Sequence, residues 1–318
     1  GYVLADGATG TNLFEMGLES GHAPELWNIE KPNNILMHHK EFIKAGSNII
    51  LTNTFGANKC RLALHNAEKK VDLLNFEAAS LARKAKGNKS DVLIAGSIGP
   101  SGELMEPLGT LTEESAISVF TEQCKALKEG GVDILWIETM SDLNEAKCAI
   151  NAAKKTKLPI ICTYSLDTNG KTMMGREPID LVRICEDEFP SMIGYGANCG
   201  IGMSELLSSI ICFSQARQDT SKMIVAKSNC GIPEYKEGKI EYSGSPELMA
   251  QYSILARNLG AEIIGGCCGT SPKHINSMKI ALETKKKQQI DSIDQIPDQL
   301  GDISKGARAL IEKYINKT

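Results

Sequence analysis

The feature that most constrains this chain is an alternation. Short apolar, β-rich runs recur as "YVLADG", "NIILTN", "VLIAGSIG", "ILWIET", "PIICTYSL", "MIGYGANC", "MIVAKSN" and "EIIGGCCG", and each is followed by a stretch with helical spacing of its apolar residues. Strict strand and helix alternation implies parallel βαβ units, and eight such units close naturally into a (β/α)8 TIM barrel. A doubly wound open sheet is the structural rival. It is weakened because "DGATGT" near the start lacks the G-x-G-x-x-G spacing of a dinucleotide-binding turn and no suitable acidic residue follows a second strand.

The alternation stops after about Lys287, which sets a barrel over 1–287 and an extension over 288–318. The extension reads as a polar stretch, "QQIDSIDQIPDQLGD", leading to a short helix in "ISKGARALIEKYINK". Such an appendage can cover the barrel bottom or dock on a second subunit, making a homo-oligomer. The net charge of −4, with Lys and Arg dispersed, gives no basic stripe for nucleic acid, and the "KKK" at 285–287 reads as a solvated helix face. No segment is apolar long enough to cross a bilayer, and the first residues show no signal-peptide pattern, so a cytoplasmic enzyme is expected. The 10 cysteines follow no disulfide-framework spacing; Cys60, Cys124, Cys148, Cys162, Cys185 and Cys212 lie in segments that read as buried helix or strand.

In this fold, chemistry gathers where strands end and the following loops begin. Those positions hold Asp6, Gly7, Thr52, Asn53, Glu138, Thr139, Asn198, Cys199, Ser228, Asn229, Cys267 and Cys268. The adjacent Cys267 and Cys268 would point to opposite faces of a continuing strand, so the glycines around them must turn the backbone. A vicinal disulfide would need a strained ring and an oxidising setting, against the cysteine usage elsewhere. Cys199 stands in the same context, at a strand end beside glycines. Three thiolates converging there would make a zinc site with the fourth position left for a reactant. Cys230, in "SNCGIPEY", competes as a ligand or a bystander. His38, His39 and His65 read as surface or helix-packing residues and His274 as part of the last helix, and none supports Ser-His-Asp chemistry.

"LADGATGTNL", "TNTFGAN", "IETMSD", "GANCGIG" and "GGCCGT", in this order from about Leu4 to about Leu282, resemble the homocysteine S-methyltransferase family. The likeness is to the homocysteine-binding module of cobalamin-dependent methionine synthase and to the betaine and S-methylmethionine enzymes. It implies that Cys199, Cys267 and Cys268 bind Zn2+, with the homocysteine thiolate as fourth ligand and methionine as product. Zinc stabilises the deprotonated sulfur, which is the nucleophile. Asp6 and Glu138 match positions that hold the homocysteine ammonium, where carboxylates suit by charge-assisted hydrogen bonds. On residue type alone, Asp6 also reads as a turn residue and Glu138 as a helix-start acid ahead of an N-cap at Ser141. Gly7 and Ala8 are expected to present N–H groups to the substrate carboxylate, and Asn198 to orient the neighbouring ligand.

The methyl donor is where the sequence departs from the betaine branch, which places aromatic side chains after the second and fourth strands; here Gly56 and Thr139 stand there. A small onium donor is therefore expected, a sulfonium such as S-methylmethionine or dimethylsulfoniopropionate before betaine, with Trp27, Phe55 and Tyr164 as a candidate aromatic wall. A methylcorrinoid donor would have to arrive on a separate protein. The reading from another class is a non-catalytic zinc- or thiol-binding barrel.

Overall fold

A computed structural model describes residues 1–318 apart from 168, 237–238, 289, 291–293 and 316–318. The strands are β1 (Val3–Leu4), β2 (Ile49–Leu51), β3 (Leu93–Ile98), β4 (Ile134–Met140), β5 (Ile160–Tyr164), β6 (Gly194–Cys199), β7 (Met223–Ser228), β8 (Pro233–Lys236), β9 (Lys239–Tyr242) and β10 (Ile263–Gly266). Eight of them form one parallel sheet in the order β1-β10-β7-β6-β5-β4-β3-β2. A parallel bridge between Ala5 and Ile49 joins the first strand to the last and completes the ring. The expected (β/α)8 barrel is thus present, and each of the eight sequence runs supplies one of its strands. The β8–β9 pair is an antiparallel hairpin after β7 that the alternation did not announce.

Strand alternation sorts the core into two layers. Ala5, Ile49, Leu51, Ala95, Ile134, Trp136, Ile161, Val225 and Ile263 fill the barrel interior. Their outward neighbours, such as Leu4, Ile50, Ile94, Leu135, Cys162 and Ile224, pack against the surrounding helices. Cys124, Cys148, Cys185 and Cys212 lie in that outer layer and are free thiols, as their sequence contexts suggest, whereas Cys60 is only half-buried. Burial pushes the Cys124 thiol up to about 12, so it acts as a small hydrophobe.

One local expectation changes. The helix after β4, Leu143–Lys154, is capped by Asp142, not Ser141: the Asp142 carboxylate accepts from the Asn144 and Glu145 N–H groups at 2.7 and 3.0 Å. Of the surface and packing roles expected for His38 and His39, the structure shows packing: both are buried on the helix Pro32–Ala45, and burial pushes them down to about 4 and about 3.

The described part of the extension packs on the outer side of the barrel, against its helices. Its helix Lys305–Ile315 packs on the barrel helix Met203–Ala216, with Ala307, Leu310, Ile311 and Tyr314 buried. It also fastens the loop that follows β5: the Tyr314 hydroxyl accepts from the Ile179 N–H at 3.0 Å, and Lys313 pairs with Glu177 at 2.6 Å. The Ser304 N–H donates to the Glu205 carboxylate. Deleting the chain from Asp302 onward should leave a folded barrel with a melting temperature lowered by roughly 5 °C or more, because it bares the apolar face those residues cover. Thermal unfolding followed by circular dichroism checks this, and an unchanged melting temperature would contradict it.

Candidate active site

Near the carboxyl ends of the strands the barrel's inward face turns polar. Along β3, β4, β5 and β7, the apolar Ala95, Trp136, Ile161 and Val225 give way, two residues on, to Ser97, Glu138, Thr163 and Lys227. Above this layer the sulfurs of Cys199, Cys267 and Cys268 all lie within 4.8 Å of one another.

Turned backbone brings them together. Cys199 ends β6 with φ 64°, a left-handed conformation rare for a side-chain-bearing residue, and so leaves the strand's alternation. After β10 the Cys267 N–H donates to the Ser228 carbonyl at 2.6 Å, and the Thr270 N–H returns to the Cys267 carbonyl at 3.0 Å, closing a turn. The Asn229 side chain accepts from the Cys268 N–H at 3.1 Å. Gly269 has φ 79°, and a Cβ there would stand 2.4 Å from the Tyr242 side chain. Adjacent cysteines can therefore serve one site because the turn begins at the first of them. With protons on the cluster, Cys268 is held down to about 3, first by a hydrogen bond from Cys199, while the Cys199 thiol is pushed up by donating first to Cys267. The hydroxyl of Tyr242, from the hairpin, also lowers Cys268.

Asn198 locks the neighbouring strands. Its Oδ1 accepts from the Thr139 N–H at 2.8 Å and from the Thr163 hydroxyl at 2.6 Å, and its Nδ2 donates to the Thr139 hydroxyl at 2.7 Å. The same Nδ2 lies 3.9 Å from the Cys267 sulfur, so its contact in the cluster is with Cys267 and not with the adjacent Cys199. Thr139 itself has φ 61°, at an irregularity in the β4–β5 ladder.

The two carboxylates differ. Glu138 is 8% exposed and accepts from the Ser97 hydroxyl at 2.5 Å. Burial pushes it up to about 7, against the opposing pull of Lys227. A substrate ammonium beside it would favour the ionised form. Asp6 is already engaged: Oδ2 accepts from the Leu51 N–H at 2.7 Å, and Oδ1 is 2.9 Å from the Lys227 ammonium, with side-chain exposures of 1% and 3% for the pair. Lys227 escaped the sequence reading. The signal was present in "MIVAKSN", where a lysine inside an apolar strand must find a buried partner.

Ala8 does not offer a free donor, because its N–H donates to the Thr270 carbonyl at 3.0 Å. Gly7 stands where a Cβ would meet that carbonyl at 2.5 Å, a close-packing role, and its N–H has no partner among the described residues. Cys230 lies outside the three-sulfur cluster; it is buried, with its sulfur 3.0 Å from the Gly244 carbonyl. Trp27 is buried in a satellite core under the Lys31 ammonium, and Tyr164 faces the outer layer, so neither forms a rim wall. Phe55, half-buried against Gly99, remains near the rim. His65 is exposed, and His274 caps the helix Pro272–Thr284.

A family model described as homocysteine S-methyltransferase matches residues 3–282. The chain belongs to the homocysteine S-methyltransferase family. This is a family of methyltransferase enzymes. A curated relative, methionine synthase of Mycobacterium leprae, is 27% identical; the match covers 88% of this chain but only 24% of that protein, so the chain spans about a quarter of it. Among solved structures, the homocysteine methyltransferase MmuM of Escherichia coli in its oxidized form is 24% identical with a TM-score of 0.73, covering 88% of this chain and 95% of that one. Its metallated form is 23% identical at the same TM-score, with coverages of 88% and 96%. These two likenesses concern the fold.

The three sulfurs suit a metal. A tetrahedral zinc with Zn–S bonds of about 2.3 Å separates its sulfur ligands by about 3.8 Å, within reach of small side-chain movements here. In the purified protein, metal analysis should find about one zinc per chain, and Cys267→Ala should abolish it while circular dichroism still reports a folded barrel. Stoichiometric zinc in the variant would contradict the assignment.

Proposed function

We propose that this enzyme transfers a methyl group from a small onium compound to the thiol of homocysteine, forming methionine, at a zinc held by Cys199, Cys267 and Cys268. The observation that carries this reading is the convergence of the three sulfurs within 4.8 Å at the rim, above the buried Glu138. When bound, zinc would lower the pKa of a thiol in its fourth position and so hold the substrate sulfur as a thiolate.

The chain's own residues do the rest. Glu138, with its hydroxyl partner Ser97, takes the substrate ammonium, and that contact fixes which way the amino acid lies across the barrel mouth. Asn198 steadies Cys267 through the Thr139 and Thr163 contacts, and Tyr242 closes over Cys268 from the hairpin. In the transfer itself a lone pair of the homocysteine thiolate forms the new S–C bond. The donor's bond to that methyl carbon breaks, and its electrons return to the onium centre, which departs neutral.

Charge favours a cationic donor. The mouth gathers thiols and Glu138, and past the end of β2 the buried Glu25 accepts from the Gly56 N–H at 2.6 Å. Glu25 also bears on Gly56: a Cβ there would stand 2.9 Å from its oxygen, so an aromatic side chain would fit only if the carboxylate moved. A sulfonium therefore comes before betaine. Ten free cysteines fit a reducing compartment, and the cytoplasm is part of this reading; among the described residues no helix is long and apolar enough to cross a membrane.

A donor panel with homocysteine and zinc, scored by methionine formed, tests the proposal. Product from a free sulfonium is expected. Product only when a methylated corrinoid protein is added would overturn the donor assignment in favour of a methionine-synthase-like partner. With an active donor in hand, Glu138→Ala should raise the homocysteine concentration for half-saturation roughly tenfold or more without changing zinc content.

A further inference from the structure

Lys227 is the one buried lysine facing the cysteine cluster among the described residues, and its surroundings are unusual. In the ladder it stands opposite Asn198 on one side and Gly265 on the other, one residue before the level at which Ser228 meets Cys199 and Gly266. The carbonyl of that next residue, Ser228, holds the Cys267 N–H. Its ammonium is 5.3 Å from the centre of the Trp136 ring and 2.9 Å from Asp6. Asp6 is held from its other side by the Leu51 N–H, and Asn198, across the ladder from Lys227, places its Nδ2 3.9 Å from the Cys267 sulfur, so the ammonium lies in the layer beneath the cluster.

We propose that Lys227 is the counter-charge of the cysteine cluster: a positioning residue, held under the site by Asp6, whose ammonium offsets the negative charge of three cysteine thiolates and a substrate thiolate gathered on one metal. This rests on the reading that the cluster holds zinc and takes homocysteine. Three thiolates around a divalent ion leave one net negative charge, and a fourth thiolate makes two. In a half-buried site that excess is costly unless a cation stands nearby.

Two variants separate this role from a structural one. Asp6→Asn keeps one acceptor oxygen, enough for the Leu51 N–H, and removes the carboxylate charge that competes for Lys227. Lys227→Met/Asp6→Asn then removes the ammonium without stranding a carboxylate. Zinc affinity is measured by competition with a chromophoric chelator, and homocysteine binding by titration across pH. Asp6→Asn should hold zinc at least as tightly as the native protein and move the half-maximal pH for homocysteine binding downward. The double variant should hold zinc at least about tenfold more weakly than Asp6→Asn, and should need a higher pH to bind homocysteine. Equal zinc affinity in the two variants, or an unmoved pH midpoint in Asp6→Asn, would overturn the proposal; the second comparison stands even if the double variant fails to fold. A native protein that holds no zinc would overturn the underlying reading first, before any substitution is compared.

Discussion

The barrel closes on Asp6. The first strand is two residues long, so a single bridge, Ala5 to Ile49, links it to β2. Asp6 supplies what the short ladder lacks. Its N–H donates to the Ile49 carbonyl at 3.0 Å, its carbonyl accepts from the Gly266 N–H at 3.1 Å, and its carboxylate holds the Leu51 N–H and the Lys227 ammonium. One residue thereby ties β1 to β2, β10 and β7. Because the pair is buried, removing only one partner leaves a stranded charge, at a cost of about 3–5 kcal/mol. The seam of the barrel and the base of the candidate site are the same interaction, which accounts for a carboxylate so close to the cysteines being occupied before any substrate arrives.

The site also stores strain. Thr139 and Cys199 both take left-handed backbone without being glycine, at a cost of about 1–3 kcal/mol each. Asn198 offsets part of it, since its amide bonds Thr139 through both backbone and side chain while its own strand carries Cys199. The strain has a use. A regular β6 would direct Cys199 away from its inward neighbour Asn198, toward the helices, and the third sulfur would miss the cluster.

Much of this was legible in the residues themselves. Eight apolar runs at strand length specify the barrel because parallel strands covered on both sides need continuous apolar character. The three cysteines stand out because each lies at a strand end beside glycines that permit a turn. What escaped depended on contacts distant in sequence. Lys227 acquires its meaning only opposite Asp6, 221 positions away. The β8–β9 hairpin sits in a polar stretch that reads as loop, and its Tyr242 matters because Gly269 leaves room for it. The extension's docking is set by small residues that admit it: at Gly170 a Cβ would stand 2.9 Å from Leu310 and at Gly306 2.3 Å from Asn169, contacts that no local periodicity signals.

The central claim is that three cysteines hold a metal and leave its fourth place to the substrate sulfur. Zinc K-edge X-ray absorption on the protein with and without homocysteine tests it most directly. The account predicts three sulfur neighbours at about 2.3 Å plus one lighter atom before addition, and four sulfurs afterwards. A sulfur count unchanged by homocysteine, or a first shell built from nitrogen and oxygen, would contradict it.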